Sequence, residues 1–173
     1  MRKKVTADRD SSFFWSSASE FLNNELSGIR KKSSNTVEAY RRSLNGYIDF
    51  LESEKSIKRK DICYQDFNKN NLKDYLIFMK DSRKLSEKTC NLRMTAIRTL
   101  LAYAAEESID ITTVYVNAKT VKGLPVLQKE IEYFENSQLK VLLAAPSVDT
   151  KTGRRDRMIL ILGYDSGLRV SEL

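Results

Sequence analysis

Ser34-Asn35-Thr36-Val37-Glu38-Ala39-Tyr40-Arg41-Arg42-Ser43-Leu44-Asn45-Gly46-Tyr47-Ile48-Asp49-Phe50-Leu51 decides the fold of this 173-residue chain. Val37, Tyr40, Leu44, Tyr47, Ile48 and Leu51 recur at steps of three and four, the spacing that lines up one face of an α-helix. Ser34 and Asn35 are both good N-caps, so the pattern predicts a helix from there to about Glu54. Similar stripes flank it. Phe14, Ala18, Phe21, Leu22 and Leu26 predict a helix over 12–26. After a connector from Lys55 to Gln65, Leu72, Tyr75, Leu76 and Met79 predict another, capped near Asn70 or Asn71. Ser86 opens a fourth that reaches about Glu107. It turns Leu92, Ala96, Leu100 and Tyr103 to the core, with Met94, Ile97 and Leu101 widening that face. Four amphipathic helices joined by short connections make a compact bundle, so the fold class is all-α.

Beyond Thr112 the helical period fails. Val114-Tyr115-Val116, then Lys119, Lys122, Gly123 and Pro125, read as an extended basic linker. The expected organisation is a helical domain over 1–115, a linker over 116–130 and a new unit over 131–173. In that unit Asn136 or Ser137 caps a short helix carrying Leu139, Val141, Leu142 and Leu143. A polar turn is expected over 150–155. The helix from Arg157 to Tyr164 is apolar nearly all round, through Met158-Ile159-Leu160-Ile161-Leu162. Such a helix belongs inside a larger domain, so the second unit is expected to be cut short.

Composition narrows the function. The chain is 41% hydrophobic and 31% charged with a formal net charge of +7, which suits a soluble helical protein with an acidic partner. It contains no histidine, which removes Ser-His-Asp and Cys-His nucleophile systems and imidazole bases. Cys63 and Cys90 are too few for a disulfide framework and, without histidine, for a zinc site, so no metal is expected. Arg2, Lys3 and Lys4 are not followed by a signal-peptide core, and no apolar stretch is long enough for a bilayer. A cytoplasmic location without membrane contact is therefore expected.

The polar face of the fourth helix carries Lys88, Asn91, Thr95 and Arg98, with no acid among them. These residue types contact phosphates and can also read base edges. The second helix shows a similar face in its first half, with Asn35, Thr36, Arg41 and Arg42, before turning acidic at Asp49, Glu52 and Glu54. Lys119 and Lys122 in the linker and Arg30-Lys31-Lys32 add two further basic elements. Taken alone, such a stripe is more often simply the solvated face of an amphipathic helix.

The final heptad, Gly167-Leu168-Arg169-Val170-Ser171-Glu172-Leu173, has a different character. A glycine in the left-handed conformation ends a helix sharply and leaves Arg169 on a rigid corner. A guanidinium held there meets a phosphate with two parallel hydrogen bonds.

Taken together, these segments resemble the tyrosine recombinases of the phage-integrase and Xer type. Ser34 to Tyr40 with Leu44 and Phe50-Leu51 is similar to the opening of that family's N-terminal core-binding domain. Ser86, Lys88, Thr89, Asn91 and Arg93 with Leu100-Leu101 resemble its last helix. Lys119 to Pro125 resembles the interdomain linker, and Ser137 to Leu143 with Gly167 to Leu173 the start of the catalytic domain.

The resemblance implies a four-helix SAM-like core-binding bundle, a linker and the first helices of a mixed α/β catalytic domain. It implies duplex DNA as partner, no cofactor, and strand exchange through a 3′-phosphotyrosyl bond. Arg169 corresponds to the first of two arginines on the scissile phosphate, and Glu172 to the acidic residue that orients it. The family's lysine on a β-hairpin, His-x-x-Arg element and nucleophilic tyrosine fall beyond this motif. The 173 residues are thus expected to bind DNA as a monomer without cleaving it, while the full enzyme works as a tetramer. Two other readings stay open: a non-catalytic helical DNA-binding regulator or accessory protein, and a protein-interaction module.

Overall fold

The computed structural model describes residues 6–127, 132–169 and 172. Arg2, Lys3 and Lys4, the end of the expected linker at 128–130, and Val170, Ser171 and Leu173 of the terminal motif lie outside the described residues. All regular structure among the described residues is helical, and the chain divides into two compact units, residues 1–127 and 128–173.

The first unit begins with α1, Ser11–Glu20, whose N-cap Asp10 accepts from the Ser12 and Phe13 amides. The chain then continues as a π-helix, Phe21–Ile29, closed by an Arg30 amide bond to the Glu25 carbonyl. A single α-helix was the expectation here. The wider winding still buries Phe21, Leu22 and Leu26 alongside Phe14 and Ala18. Helix α2 spans Ser34–Lys55, capped by Ser33 rather than Ser34, and ends at Ser56 in the left-handed region with φ 55°. Helix α3 spans Lys69–Asp81. Its cap is Asn68, whose side chain accepts from the amides of Asn70 and Asn71, the two residues expected to do the capping. Helix α4, Glu87–Glu107, starts at Ser86 as its sequence predicts.

The connector between α2 and α3 is not a passive link, because it buries Ile62, Tyr64 and Phe67. These rings complete an aromatic core. Tyr47 lies 4.7 Å from Phe67 and 5.0 Å from Tyr75, and Phe14 lies 5.2 Å from Tyr64, all between ring centroids. An unpartnered buried hydroxyl is destabilising, and two of these three phenols have partners while that of Tyr75 has none among the described residues. Tyr47 donates to the Asp66 carbonyl at 2.8 Å, and the Tyr64 hydroxyl meets Ser17 Oγ at 2.5 Å. Burial raises the pKa of both phenols.

Two expectations fail in this unit. Residues 112–119, read as extended, form helix α5, Thr112–Lys119. The β-branched run around Val114 disfavours a helix only weakly, and packing outweighs it: Ile111, Ala118 and Val121 are buried against the bundle. Leu92, placed in the core by its spacing, is instead 62% exposed on the outer face of α4. Ala96, Leu100 and Tyr103 are buried as expected.

The second unit contains α6, Asn136–Ala144, and α7, Lys151–Ser166. Glu135 rather than Asn136 or Ser137 caps α6, through a reciprocal box in which the Glu135 amide donates to Gln138. Thr150 caps α7 by accepting from the Gly153 amide, so the expected polar turn at 150–155 is the first turn of a longer helix. Neither helix buries a residue, and Met158 to Leu162 are all exposed.

These positions make opposite demands on stability. Phe67→Ala is expected to destabilise the first unit by about 3–5 kcal/mol, whereas Leu92→Ala should stay within about 0.5 kcal/mol of the parent. Urea unfolding followed by circular dichroism measures both, and comparable losses would put Leu92 back in the core.

Candidate nucleic-acid interface

The basic face of α2 is partly neutralised by its own helix. Glu38 pairs with Arg42 at 3.0 Å and Arg41 at 3.8 Å, so two guanidiniums share one carboxylate. Arg41 also donates to Asn23 Oδ1. Asn35 is exposed, while the Thr36 hydroxyl is hydrogen-bonded to the cap Ser33 at 2.9 Å. Two of the three acids in the second half of α2 are engaged as well. Arg59 binds Asp49 at 2.5 Å and Glu52 at 3.0 Å, and Lys55 binds Asp74 on α3.

On α4 the predicted stripe divides into two jobs. Lys88 and Thr95 are exposed, and the Thr95 hydroxyl donates back to the Asn91 carbonyl. Asn91 and Arg98 turn toward the chain that follows α5. The Asn91 amide donates to the Leu124 carbonyl at 2.8 Å, and its Oδ1 accepts from the Leu124 amide at 2.8 Å, a two-way bond like a single rung of sheet. Arg98 donates through Nε to the Ala118 carbonyl at 3.3 Å and through Nη2 to the Val121 carbonyl. The guanidinium thereby covers open carbonyls at the C-terminal end of α5. Partial burial lowers the Arg98 pKa.

Gly123 makes room for this clasp. A Cβ there would stand 2.7 Å from Asn91 Oδ1, closer than the two atoms tolerate. The sequence stripe therefore combined side chains that are free with side chains already committed to the fold.

Lys119 lies over the Tyr115 ring at 5.3 Å, within range of a cation–π contact. It shares an open groove with Thr95, Thr99 and Ala102 of α4. Lys122 is exposed. Arg93, off the predicted stripe, lies beside buried Tyr75; burial raises that phenol's pKa and the guanidinium partly offsets the rise. No spacing rule separates Arg93 from its neighbours, because its role comes from a residue on α3.

In the second unit, Gly167 ends α7 in the left-handed region at φ 63°, as its place after the apolar run predicts. The Arg169 amide donates to Glu172 Oε2 at 2.9 Å, and Arg169 Nη1 to Glu172 Oε1 at 3.3 Å. One carboxylate thus holds both the backbone and the guanidinium of Arg169, whose side chain remains 83% exposed. That leaves donors for a phosphate. No three metal-ligating side chains of His, Cys, Asp or Glu converge among the described residues, and no described helix is long and apolar enough to cross a membrane.

Comparison with known proteins adds a pattern to this geometry. A family model described as the phage integrase SAM-like domain matches residues 17–120. Tyrosine recombinase XerC of Chlamydia caviae is 29% identical over 162 residues, covering 86% of this chain and 50% of that protein. Tyrosine recombinase XerD of Ralstonia nicotianae is 33% identical over 143 residues, covering 80% and 42%. A putative integrase/recombinase, y4rC of Sinorhizobium fredii, is 24% identical over 153 residues, covering 88% and 46%. The chain spans about half the length of these curated relatives. No solved structure matches it.

The clasp can be separated from the free stripe by experiment. Asn91→Ala leaves the Leu124 amide and carbonyl unpaired and should lower stability by about 1–3 kcal/mol, with faster proteolysis over 120–127. Lys88→Ala should change neither. Equal effects of the two variants on melting would remove the distinction.

Proposed function

Because the chain belongs to the tyrosine recombinases, through their phage-integrase SAM-like core-binding domain, we propose that its first unit binds duplex DNA. Lys88, an exposed cation with no ion pair among the described residues, carries this reading, together with the groove that Lys119 shares with Thr95 and Thr99. On α2, Asn35, Thr36, Arg41 and Arg42 supply the second edge, with one net positive charge left after Glu38 is counted. Asn91 and Arg98 act through the fold of that surface, Lys119 and Lys122 through phosphates. In this scheme the first unit is the core-binding domain, its boundary moved past helix α5 from the expected residue 115, and 131–173 is the start of a catalytic domain.

Arg169 is proposed to bind the scissile phosphate, with Glu172 orienting it. A recombinase tyrosine outside these 173 residues attacks that phosphate: a bond forms from its oxygen to phosphorus and the 5′-hydroxyl leaves. Negative charge then concentrates on the non-bridging oxygens, where a preorganised guanidinium stabilises the transition state more than the ground state. These 173 residues contain no histidine and so no His-x-x-Arg element. By themselves they are proposed to bind DNA as a monomer, without cofactor and without cutting. The complete enzyme is proposed to act as a cytoplasmic tetramer on two DNA sites.

Fluorescence anisotropy with a short random-sequence duplex tests the first half of the proposal. Affinity should fall linearly with salt on logarithmic axes, and Lys88→Ala should flatten the slope by about 0.9, one phosphate contact. Absence of salt-dependent binding to the duplex would point to a protein partner instead.

The second half is tested in a recombinase that carries this segment complete. Arg169→Ala should keep site binding and lower cleavage on the order of a hundredfold to a thousandfold. Arg169→Lys should recover only part of this, since an ammonium lacks the two-pronged geometry. Equal losses of binding and cleavage would make Arg169 a structural residue.

A further inference from the structure

Between α3 and the segment that leaves α5 lies an open cleft of about 440 Å³ whose rim carries Lys69, Lys73 and Lys122. Lys69 and Lys73 stand four residues apart on α3, so their ammonium groups rise from the same face of the helix. Like charges at that spacing oppose each other, and Lys122 brings a third cation to the same place. None of the three forms an ion pair among the described residues, while Asp74, the acid next to Lys73, is taken by Lys55. The floor is apolar, made by Leu76, Val121 and Ile77, the last 58% exposed. Three uncompensated ammonium groups over an apolar floor form an amphipathic site. Its chemistry matches a phosphate joined to a sugar, with the charge met at the rim and the ring lying on the aliphatic floor.

Lys122 is at this cleft because of the clasp. Its neighbours on both sides are tied to α4: Val121 through Arg98, and Leu124 through Asn91 across Gly123. We infer that Lys69, Lys73 and Lys122 form a second binding site for the sugar-phosphate backbone of duplex DNA, and that Asn91, Arg98 and Gly123 are its positioning residues. The inference rests on the DNA-binding reading above and adds to it a site on α3, the helix that the sequence stripes do not mark as basic. The clasp ties the segment that bears Lys122 to α4, so the cleft and the α4 face belong to one unit.

The test is a cycle of salt slopes on the whole 173-residue chain with a short random-sequence duplex. Lys69→Ala with Lys73→Ala should flatten the slope by one to two phosphate contacts, about 0.9 for each, and leave the melting curve unchanged because both side chains are exposed. Gly123→Ala should flatten it through loss of Lys122. Adding Gly123→Ala to the lysine pair should then flatten it by less than it does alone, because the site is already gone. Lys122→Ala is the companion variant that leaves the clasp intact, and it should reproduce the slope change of Gly123→Ala without its loss of stability. If the wild-type chain shows no salt-dependent binding, the DNA-binding reading and the cleft fall together. If it binds and the lysine pair leaves the slope unchanged, the cleft alone is overturned. Strictly additive losses through the cycle would overturn the positioning role of the clasp. Self-association that the lysine pair abolishes, with the slope unchanged, would assign the cleft to an acidic segment of a second copy and overturn it as a DNA site.

Discussion

The Tyr47 hydroxyl is the constraint around which the first unit is arranged. Its ring sits in the centre of the aromatic core, against Phe67 of the connector and Tyr75 of α3, so the phenol has no route to water. Leaving such a group unpaired costs about 1–3 kcal/mol, a large fraction of the stability of a domain this size. The Asp66 carbonyl satisfies it, and that requires the connector to pass at one height over α2. The same stretch is braced locally. Asp66 accepts from the Cys63 amide, and Asn71 at the start of α3 donates to the Asp66 carbonyl. One buried hydroxyl therefore sets where the connector lies and where α3 begins, and with that the position of the α3 lysines.

A second regularity concerns which cations the fold uses. Several arginines hold structure: Arg30 on Glu25, Arg59 across Asp49 and Glu52, Arg98 on two carbonyls. A rigid planar fork suits such fixed, multiple contacts, and little freedom is lost for each bond formed. Lysines supply most of the surplus charge at the proposed interface, where Lys69, Lys73, Lys88 and Lys122 stand exposed without an ion pair among the described residues. Mobile ammonium groups suit a backbone whose phosphates are met in more than one register. Arg169 departs from this division. It is exposed, yet its backbone and guanidinium are both tied to Glu172, which suits the role proposed for it at one phosphate.

The second unit shows the limit of local information. Gly167, Arg169 and Glu172 adopt a specific corner from within their own segment, because a left-handed cap and an i,i+3 carboxylate need no distant partner. The run Met158 to Leu162 does need one. It forms a regular helix, and its apolar side chains remain exposed around it. Helix formation is local and burial is not, so the two parts of the expectation for this segment separate.

That separation describes the whole chain. The sequence by itself determined α2 and α4, because a period of three and four over six turns, with serines before the first turn, admits no other regular structure. It determined the glycine stop after α7 for the same local reason. Tertiary structure decided what no window of residues contains. Helix α5 exists because Ala118 and Val121 find a surface on α4, which outweighs the weak helix propensity of Val114 and its neighbours. The connector is core because Tyr47 needs an acceptor. Asn91 and Arg98 look identical in kind to Lys88 and Thr95 along the helix. They differ only because a backbone segment 20 to 33 residues later comes within hydrogen-bonding distance, and a side chain's donors are available to a ligand only where the fold has not already taken them.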